Sequence, residues 1–425
     1  MTLWFDTTDL WEWREPQLTG IQRVVATVLG FALRQRSDVR VFRFDRNLRR
    51  LVVLSPEELP ESVRRYGGIG RSPSPAPIDG TRGGWSWLRG LRARPPRPAA
   101  DLLPAASTAE PAIRTGDSIL SLSLTWGYEG YWEALGAEKT GGARMVQLVH
   151  DIAPITQPQW LAAEWKEMAT SWLDGVTRRA DLILTVSRFQ RREIEAYLDR
   201  ARLRSPPVRA IRLGDNPPLL AAGSPLSSTA GLDQAVGRPF VLCVSGFYPR
   251  KNHQALQLAW RGLVAVLGDS CPRLVLVGPS PTVAPELLAQ ILADPMIKSH
   301  VQVLHDVTDE ALGRLYRACL FTVYPSFYEG WGLPVAESLG LGRYCIASSA
   351  GPLQEIGGEL IDYVDPADPS TLLAALRRAI QDPAYVAARE AAIKASYRPH
   401  DWGDTASEIL GHVSAAPTAW PAGSL

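Results

Sequence analysis

Residues Cys319 to Ala347 read C-L-F-T-V-Y-P-S-F-Y-E-G-W-G-L-P-V-A-E-S-L-G-L-G-R-Y-C-I-A. The run Leu320 to Tyr324 is apolar and β-prone, and reads as a buried strand. Pro325 and Ser326 end it, and Glu329-Gly330-Trp331-Gly332 is a glycine-punctuated loop. Leu333 and Pro334 start a helix, since proline suits the first helical position, where a missing N–H costs nothing. The helix is expected to run to about Leu341, with Cys345-Ile346-Ala347 beginning the next strand. The unit is strand, glycine-rich loop, helix, strand. Free N–H groups at such a helix start, with the positive end of its dipole, favour an anion. Glu329 in the loop and Glu337 in the early helix flank that point. An anion site beside two carboxylates suits a ligand carrying both phosphate and hydroxyl groups. The plainer alternative is that Glu337 only complements its own helix dipole and Glu329 is a solvated loop acid.

Outward from this unit, the chain of 425 residues is long enough for two or three domains at roughly 150 residues each. Its 46% hydrophobic and 21% charged content is that of a globular protein able to fill sizeable cores. A net charge of +1 gives no global attraction to nucleic acid. Cys243, Cys271, Cys319 and Cys345 form no C-x-x-C pair and sit mostly in or beside apolar runs. Buried reduced thiols of a cytoplasmic protein are expected, not a disulfide framework. No signal peptide is expected from M-T-L-W-F-D-T-T-D, and no run is apolar and long enough for a transmembrane helix.

In chain order, Leu3 to Asp6 reads as a first strand. Thr19-Gly20-Ile21-Gln22-Arg23-Val24 then opens an apolar helix to Leu33. Gly20 before a helix start permits close backbone approach to a phosphate or sugar; Arg23 either reaches that site or lies on the helix surface. Residues 38–54 alternate like a hairpin. Tyr66 to Pro111 is rich in Pro, Gly, Arg and Ser and reads as a flexible insertion. Within it, Arg82 to Arg97 carries five arginines together with Trp85, Trp87, Leu88 and Leu91. That mix fits either peripheral contact with an anionic membrane or a disordered basic loop. Strands are expected at Asp117–Leu124 and Arg144–Val149. His150 follows at a carboxyl end, where open α/β sheets place ligand groups. Asp181–Val186 is a further strand, and Ser187 caps the helix after it. The first domain spans 1–214 and a linker spans 215–238. The second domain spans 239–398, and 399–425 holds a helix crossing back and a frayed tail. In the second domain Gly246, Arg250 and Lys251 follow the strand Phe240–Ser245, and a basic pair there can neutralise a diphosphate.

The run P-S-x-Y-E-G-W-G-L-P-x-x-E, with Glu329 and Glu337 spaced E-x7-E, resembles the signature of retaining glycosyltransferases of family four, which have the GT-B fold. The resemblance implies two doubly wound, Rossmann-like α/β domains facing a cleft, and a metal-independent hexosyltransferase with no cofactor. No D-x-D occurs in the chain, in keeping with that. It implies a nucleotide diphosphate sugar as donor, with GDP-mannose or a similar hexose the best fit. The acceptor would be a saccharide, free or lipid-linked, in polysaccharide synthesis at the inner membrane face, with no nucleic acid involved. T-G-I-x-R-V resembles the family's first cleft loop and H-D-x-x-P its cleft histidine motif. By carry-over, Lys251 and Arg250 stabilise the leaving diphosphate. Gly330 and the backbone of Trp331, Gly332 and Leu333 hold donor sugar and phosphate. Glu329 accepts from sugar hydroxyls, Glu337 from the ribose, His150 orients the transferred sugar, and backbone near Val307 faces the base. One departure stands out: Phe247 replaces the arginine usual after the glycine, leaving open whether Arg250 substitutes. Two alternatives fit the same fold: a nucleotide-sugar epimerase or phosphorylase, and a non-catalytic sugar-binding partner.

Overall fold

The computed structural model describes residues 1–13, 18–69, 109–139, 142–215, 233, 235–279, 285–305 and 307–415. The basic segment 82–97 and most of the 215–238 linker lie outside the described residues. Tyr66, read above as the start of an irregular insertion, lies in a helix, Glu61–Gly67, closed by Gly68.

Two sheets organise the chain. The first contains β1 (Leu3–Asp6), β2 (Val39–Asp45), β3 (Arg50–Leu54), β4 (Ser118–Ser121), β5 (Arg144–Val149), β6 (Leu182–Thr185) and β7 (Val208–Ala210). Their order is β3-β2-β1-β4-β5-β6-β7, parallel except for the β2–β3 hairpin at the edge. The second contains β8 (Phe240–Val244), β9 (Arg273–Val277), β10 (Val301–Leu304), β11 (Thr322–Tyr324), β12 (Cys345–Ser348) and β13 (Asp362–Val364), all parallel, in the order β10-β9-β8-β11-β12-β13. Parallel strands covered on both faces need near-continuous apolar runs. L-W-F-D in β1, F-V-L-C-V in β8 and C-I-A-S in β12 supply them, nearly all buried. The expected strands form at each place, Leu3–Asp6 and Arg144–Val149 with the expected bounds and those at 117–124, 181–186 and 240–245 trimmed at their ends. The expected Leu320–Tyr324 strand shortens to Thr322–Tyr324, with Leu320 exposed and Phe321 buried just before it.

Both sheets are doubly wound, and their carboxyl ends open on one cleft. The loops after β1, β4, β5 and β6 line it from one side, and those after β8, β9, β10 and β11 from the other. Such a crevice is where open α/β sheets bind ligands. The final helix, Trp402–Ser414, returns to the first domain. Arg36 Nη1 donates to Ser414 Oγ at 3.1 Å and Arg144 Nη1 to the Val413 carbonyl at 3.0 Å. Buried Asp215 pins the crossing, accepting from Arg212 (2.8 Å), Tyr397 (2.7 Å) and the His400 N–H (2.9 Å). No helix among the described residues is long and apolar enough to cross a membrane.

The domains also touch on one flank of the cleft. Glu355 of the second domain accepts from the Arg188 and Phe189 N–H groups (3.0 and 2.6 Å), at the start of the Arg188–Ala201 helix of the first. Trp160 stacks on Phe327, with centroids 4.9 Å apart and planes at 16°. Ser187 caps its own helix through the Gln190 N–H, as its sequence context predicts, and its hydroxyl also donates to the Gly330 carbonyl at 2.9 Å.

Candidate functional site

The cleft encloses about 430 Å³, within the usual range for small-molecule sites. Every residue singled out as a site residue lines it: Gly20, His150, Gly246, Arg250, Lys251, Val307, Glu329, Gly330, Trp331, Gly332, Leu333 and Glu337.

At its centre is a buried ion cluster. Lys251 ends a single 3-10 turn, Pro249–Lys251, after β8, while Glu329 sits in the loop after β11. β8 and β11 are neighbours, which brings the two together. Lys251 Nζ is 2.7 Å from Glu329 Oε1 and Arg250 Nη1 is 3.1 Å from Oε2. Lys251 also donates to the Tyr324 hydroxyl at 2.7 Å, and Arg250 to the Tyr328 carbonyl at 2.9 Å. Burial works against the Glu329 carboxylate, but Lys251 and then Arg250 outweigh it and hold its pKa down to about 2. Burial pushes the Lys251 ammonium down to about 8; Glu329 opposes this, and Arg250 adds to it. The result is a carboxylate fixed between two cations, of which the lysine holds its proton less firmly than usual.

The loop geometry depends on two glycines. Gly332 has φ +119°, and a Cβ there would fall 2.4 Å from Leu353. A Cβ on Gly330 would fall 2.5 Å from the His150 carbonyl oxygen, so the two domains meet backbone to backbone at this point. Gly332 is also the N-cap of the Leu333–Gly340 helix, with Pro334 in its first turn as the sequence predicts. Trp331, Gly332 and Leu333 at this helix start line the cleft beside the ion cluster, while the Val335 and Ala336 N–H groups turn back to the Gly332 carbonyl (2.9 and 3.2 Å).

Glu337, on this helix, is engaged from across the cleft. Arg23 of the Gly20–Gln35 helix reaches it at 2.9 Å, and the Tyr316 hydroxyl donates to its other oxygen at 2.9 Å. Arg23 is buried and also donates to the Tyr66 hydroxyl. Burial pushes the Glu337 carboxyl up; Arg23 and Tyr316 pull it back. Arg23 is therefore a cleft residue and not a surface one.

His150 follows β5 as predicted and is buried. Its ring Nε2 lies 2.9 Å from the Leu122 carbonyl. A carbonyl only accepts, so Nε2 carries the proton and Nδ1 is left as an acceptor. Burial lowers its pKa, keeping the ring neutral at pH 7. Phe247 is absent from the cleft. It is 2% exposed in the core, stacked on His253 (5.0 Å, 28°) and edge-on to His305 (5.8 Å, 69°). Arg250, three residues later, supplies the cation on the cleft wall. Sequence reasoning did not find Tyr316, Tyr324 or Asp151 as members of the site. Tyr324 carried the one usable signal, as the last residue of the strand leading into the loop. Among the described residues, no group of three or more His, Cys, Asp or Glu side chains is placed to hold a metal ion.

Residues 238–382 match the family model described as glycosyl transferases, group 1. The chain is 28% identical over 269 residues to an O-antigen chain mannosyltransferase B of Escherichia coli, covering 63% of this chain and 69% of the relative. It is 26% identical over 269 residues to the serotype-specific mannosyltransferase WbdA of Escherichia coli, covering 62% of this chain but only 32% of that longer protein. Among solved structures, a sucrose-phosphate synthase from Thermosynechococcus elongatus superposes with a TM-score of 0.53 at 22% identity, over 69% of this chain and 72% of that one. A UDP-forming trehalose-phosphate synthase from Burkholderia xenovorans gives 0.56 at 17% identity, over 71% and 75%. These likenesses show the fold, which is GT-B.

Proposed function

We propose that this GT-B glycosyltransferase is a retaining, metal-independent hexosyltransferase. It moves a mannosyl or similar hexosyl group from a nucleotide diphosphate sugar, GDP-mannose fitting best, to a saccharide acceptor. The reading is carried by the Lys251–Arg250–Glu329 cluster, which sits at the start of the Leu333–Gly340 helix inside a two-domain cleft. The relatives named above, an O-antigen chain mannosyltransferase and a serotype-specific mannosyltransferase, support a hexose donor and a polysaccharide product. A lipid-linked acceptor at the inner membrane face is part of the same reading.

In the reaction, the bond from the anomeric carbon to the β-phosphate oxygen breaks as a bond to the acceptor oxygen forms on the same face. The acceptor proton passes to the leaving phosphate. Negative charge grows on the diphosphate, so cations fixed beforehand stabilise the transition state more than the ground state. Lys251 and Arg250 are such cations, held by Glu329. N–H groups at the Leu333 helix start add to them. Glu337 accepts from the ribose hydroxyls, and neutral His150 holds a sugar hydroxyl through Nδ1.

Phe247 is the observation that favoured a non-catalytic sugar-binding partner. Phe247 lies in the core, and Arg250 on the cleft wall gives the transferase reading a second cation beside Lys251. The test is to incubate the protein with GDP-mannose and an α-mannoside and follow the product by NMR. GDP release with an α-linked disaccharide is expected. A β-linked product, or a free epimerised nucleotide sugar, would overturn the reading.

A further inference from the structure

Beside the ion cluster, at the carboxyl end of β8, lies a chain of polar and aromatic side chains that the mechanism above does not use. Ser245 follows β8, is half-buried, and lines the cleft with Gly246 and Lys251. Its backbone N–H donates to the Val277 carbonyl at 2.9 Å, which fixes it to β9. Its Oγ lies 3.1 Å from Nε2 of His253, the first residue of the His253–Leu267 helix. His253 is 1% exposed, and its Nδ1 has no hydrogen-bond partner among the described residues.

The proton positions follow from this. Burial and then Lys251 push His253 down to about 3, so its ring is neutral at pH 7 and carries one proton. A buried N–H without an acceptor is costlier than a bare lone pair, so that proton sits on Nε2 and is donated to Ser245 Oγ. The serine hydroxyl keeps its own proton to give. Its other neighbour, Cys243 Sγ at 3.8 Å, is a thiol that burial pushes up to about 12, and sulfur is a weak acceptor. The cleft side is left.

Phe247 holds the histidine ring. It stacks on His253 and meets His305 edge-on, and His305 Nδ1 donates to the Gly278 carbonyl at 2.8 Å. The row His305, Phe247, His253 is thereby anchored at the end of β9 and finishes on Ser245.

We infer that Ser245 is a further phosphate-binding residue, its hydroxyl donating to the β-phosphate beside Lys251, and that His253, held by Phe247, is the positioning residue that orients it. The inference rests on the nucleoside diphosphate reading of the cleft. A hydroxyl that already accepts an N–H is polarised and bonds a phosphate oxygen more strongly. One that is fixed before the donor arrives needs no reorganisation as charge grows on the leaving group. Phe247 thereby has a use where the resembled family carries an arginine: it holds a neutral donor in place instead of supplying a charge.

The test titrates GDP and GMP by calorimetry into the unaltered full chain, Ser245→Ala, His253→Phe and the double variant. Ser245→Ala removes only the hydroxyl, and is expected to weaken GDP by about fivefold while leaving GMP within about twofold. His253→Phe keeps an aromatic ring against Phe247 but loses the N–H. It is expected to weaken GDP by about threefold, with no further loss when added to Ser245→Ala. A merely structural role for His253 would add its loss to that of the serine and weaken GMP as well. Unchanged GDP affinity in Ser245→Ala, an equal fall for GMP, or additive losses in the double variant would overturn the assignment. If His253→Phe does not fold, the GDP and GMP affinities of Ser245→Ala decide alone. An unaltered protein that binds neither nucleotide would remove the transferase reading and this inference with it.

Discussion

At the scale of single residues, the clearest consequence concerns Lys251. Its ammonium is pushed down to about 8 by burial, yet phosphate binding needs it charged. For the donor, kcat/KM should therefore hold steady up to about pH 8 and fall as pH rises through it, since that ratio reports the free enzyme. The sign for stability is opposite. The folded state binds this proton less tightly than the unfolded chain, whose value is near 10.5, so the lysine's contribution to stability grows between about 8 and 10.5. Lys251→Arg carries a guanidinium that stays protonated, so the alkaline limb should move up by more than a unit. A pH profile identical in wild type and Lys251→Arg would show that another group titrates. The lysine was legible in the sequence because a basic pair after a glycine turn at a strand end has a plain electrostatic use. Phe247 was not. The sequence shows that an arginine is missing after Gly246, but not that the ring turns inward between His253 and His305.

At the scale of elements, the strand, loop and helix from Thr322 to Gly340 could be read directly. Each carries local punctuation: Pro325 after the strand, Gly332 at the cap, Pro334 in the first turn. The cross-domain cap could not be read. Ser187 announces its helix, but nothing near Glu355 marks it as the second cap of the same helix, 167 residues away. Its carboxylate receives two N–H groups and is only 16% exposed. A lost cap of this type costs about 1 kcal/mol. Glu355→Ala should lower thermal stability accordingly and loosen the flank of the cleft. Glu355→Gln, which keeps an acceptor but loses the charge on the helix dipole, should do so less. Scanning calorimetry with small-angle scattering checks both. Equal melting and equal dimensions for all three proteins would mean the contact does not hold the domains together.

At the scale of the whole molecule, length alone left two or three domains open, and the expectation of two doubly wound ones came from the family resemblance carried by the Glu329–Glu337 run. What unites the domains was invisible in sequence. Arg23 and Glu337 are 314 residues apart, and their pairing follows only from cleft closure. The same closure sets His150 against Gly330. The two ends of the proposed donor are thereby separated. Glu337, held by Arg23 and Tyr316, takes the ribose, and the Lys251–Arg250 pair takes the phosphates. The central claim is that this cleft recognises a nucleoside diphosphate through that pair. Calorimetric titration of GDP and GMP into the unaltered protein and Lys251→Ala tests it most directly. The unaltered protein should bind GDP at least about tenfold more tightly than GMP, a difference of ~1.4 kcal/mol, and Lys251→Ala should largely erase that preference. Equal affinity for GDP and GMP in the unaltered protein, or a preference for GDP that survives in Lys251→Ala, would contradict the account.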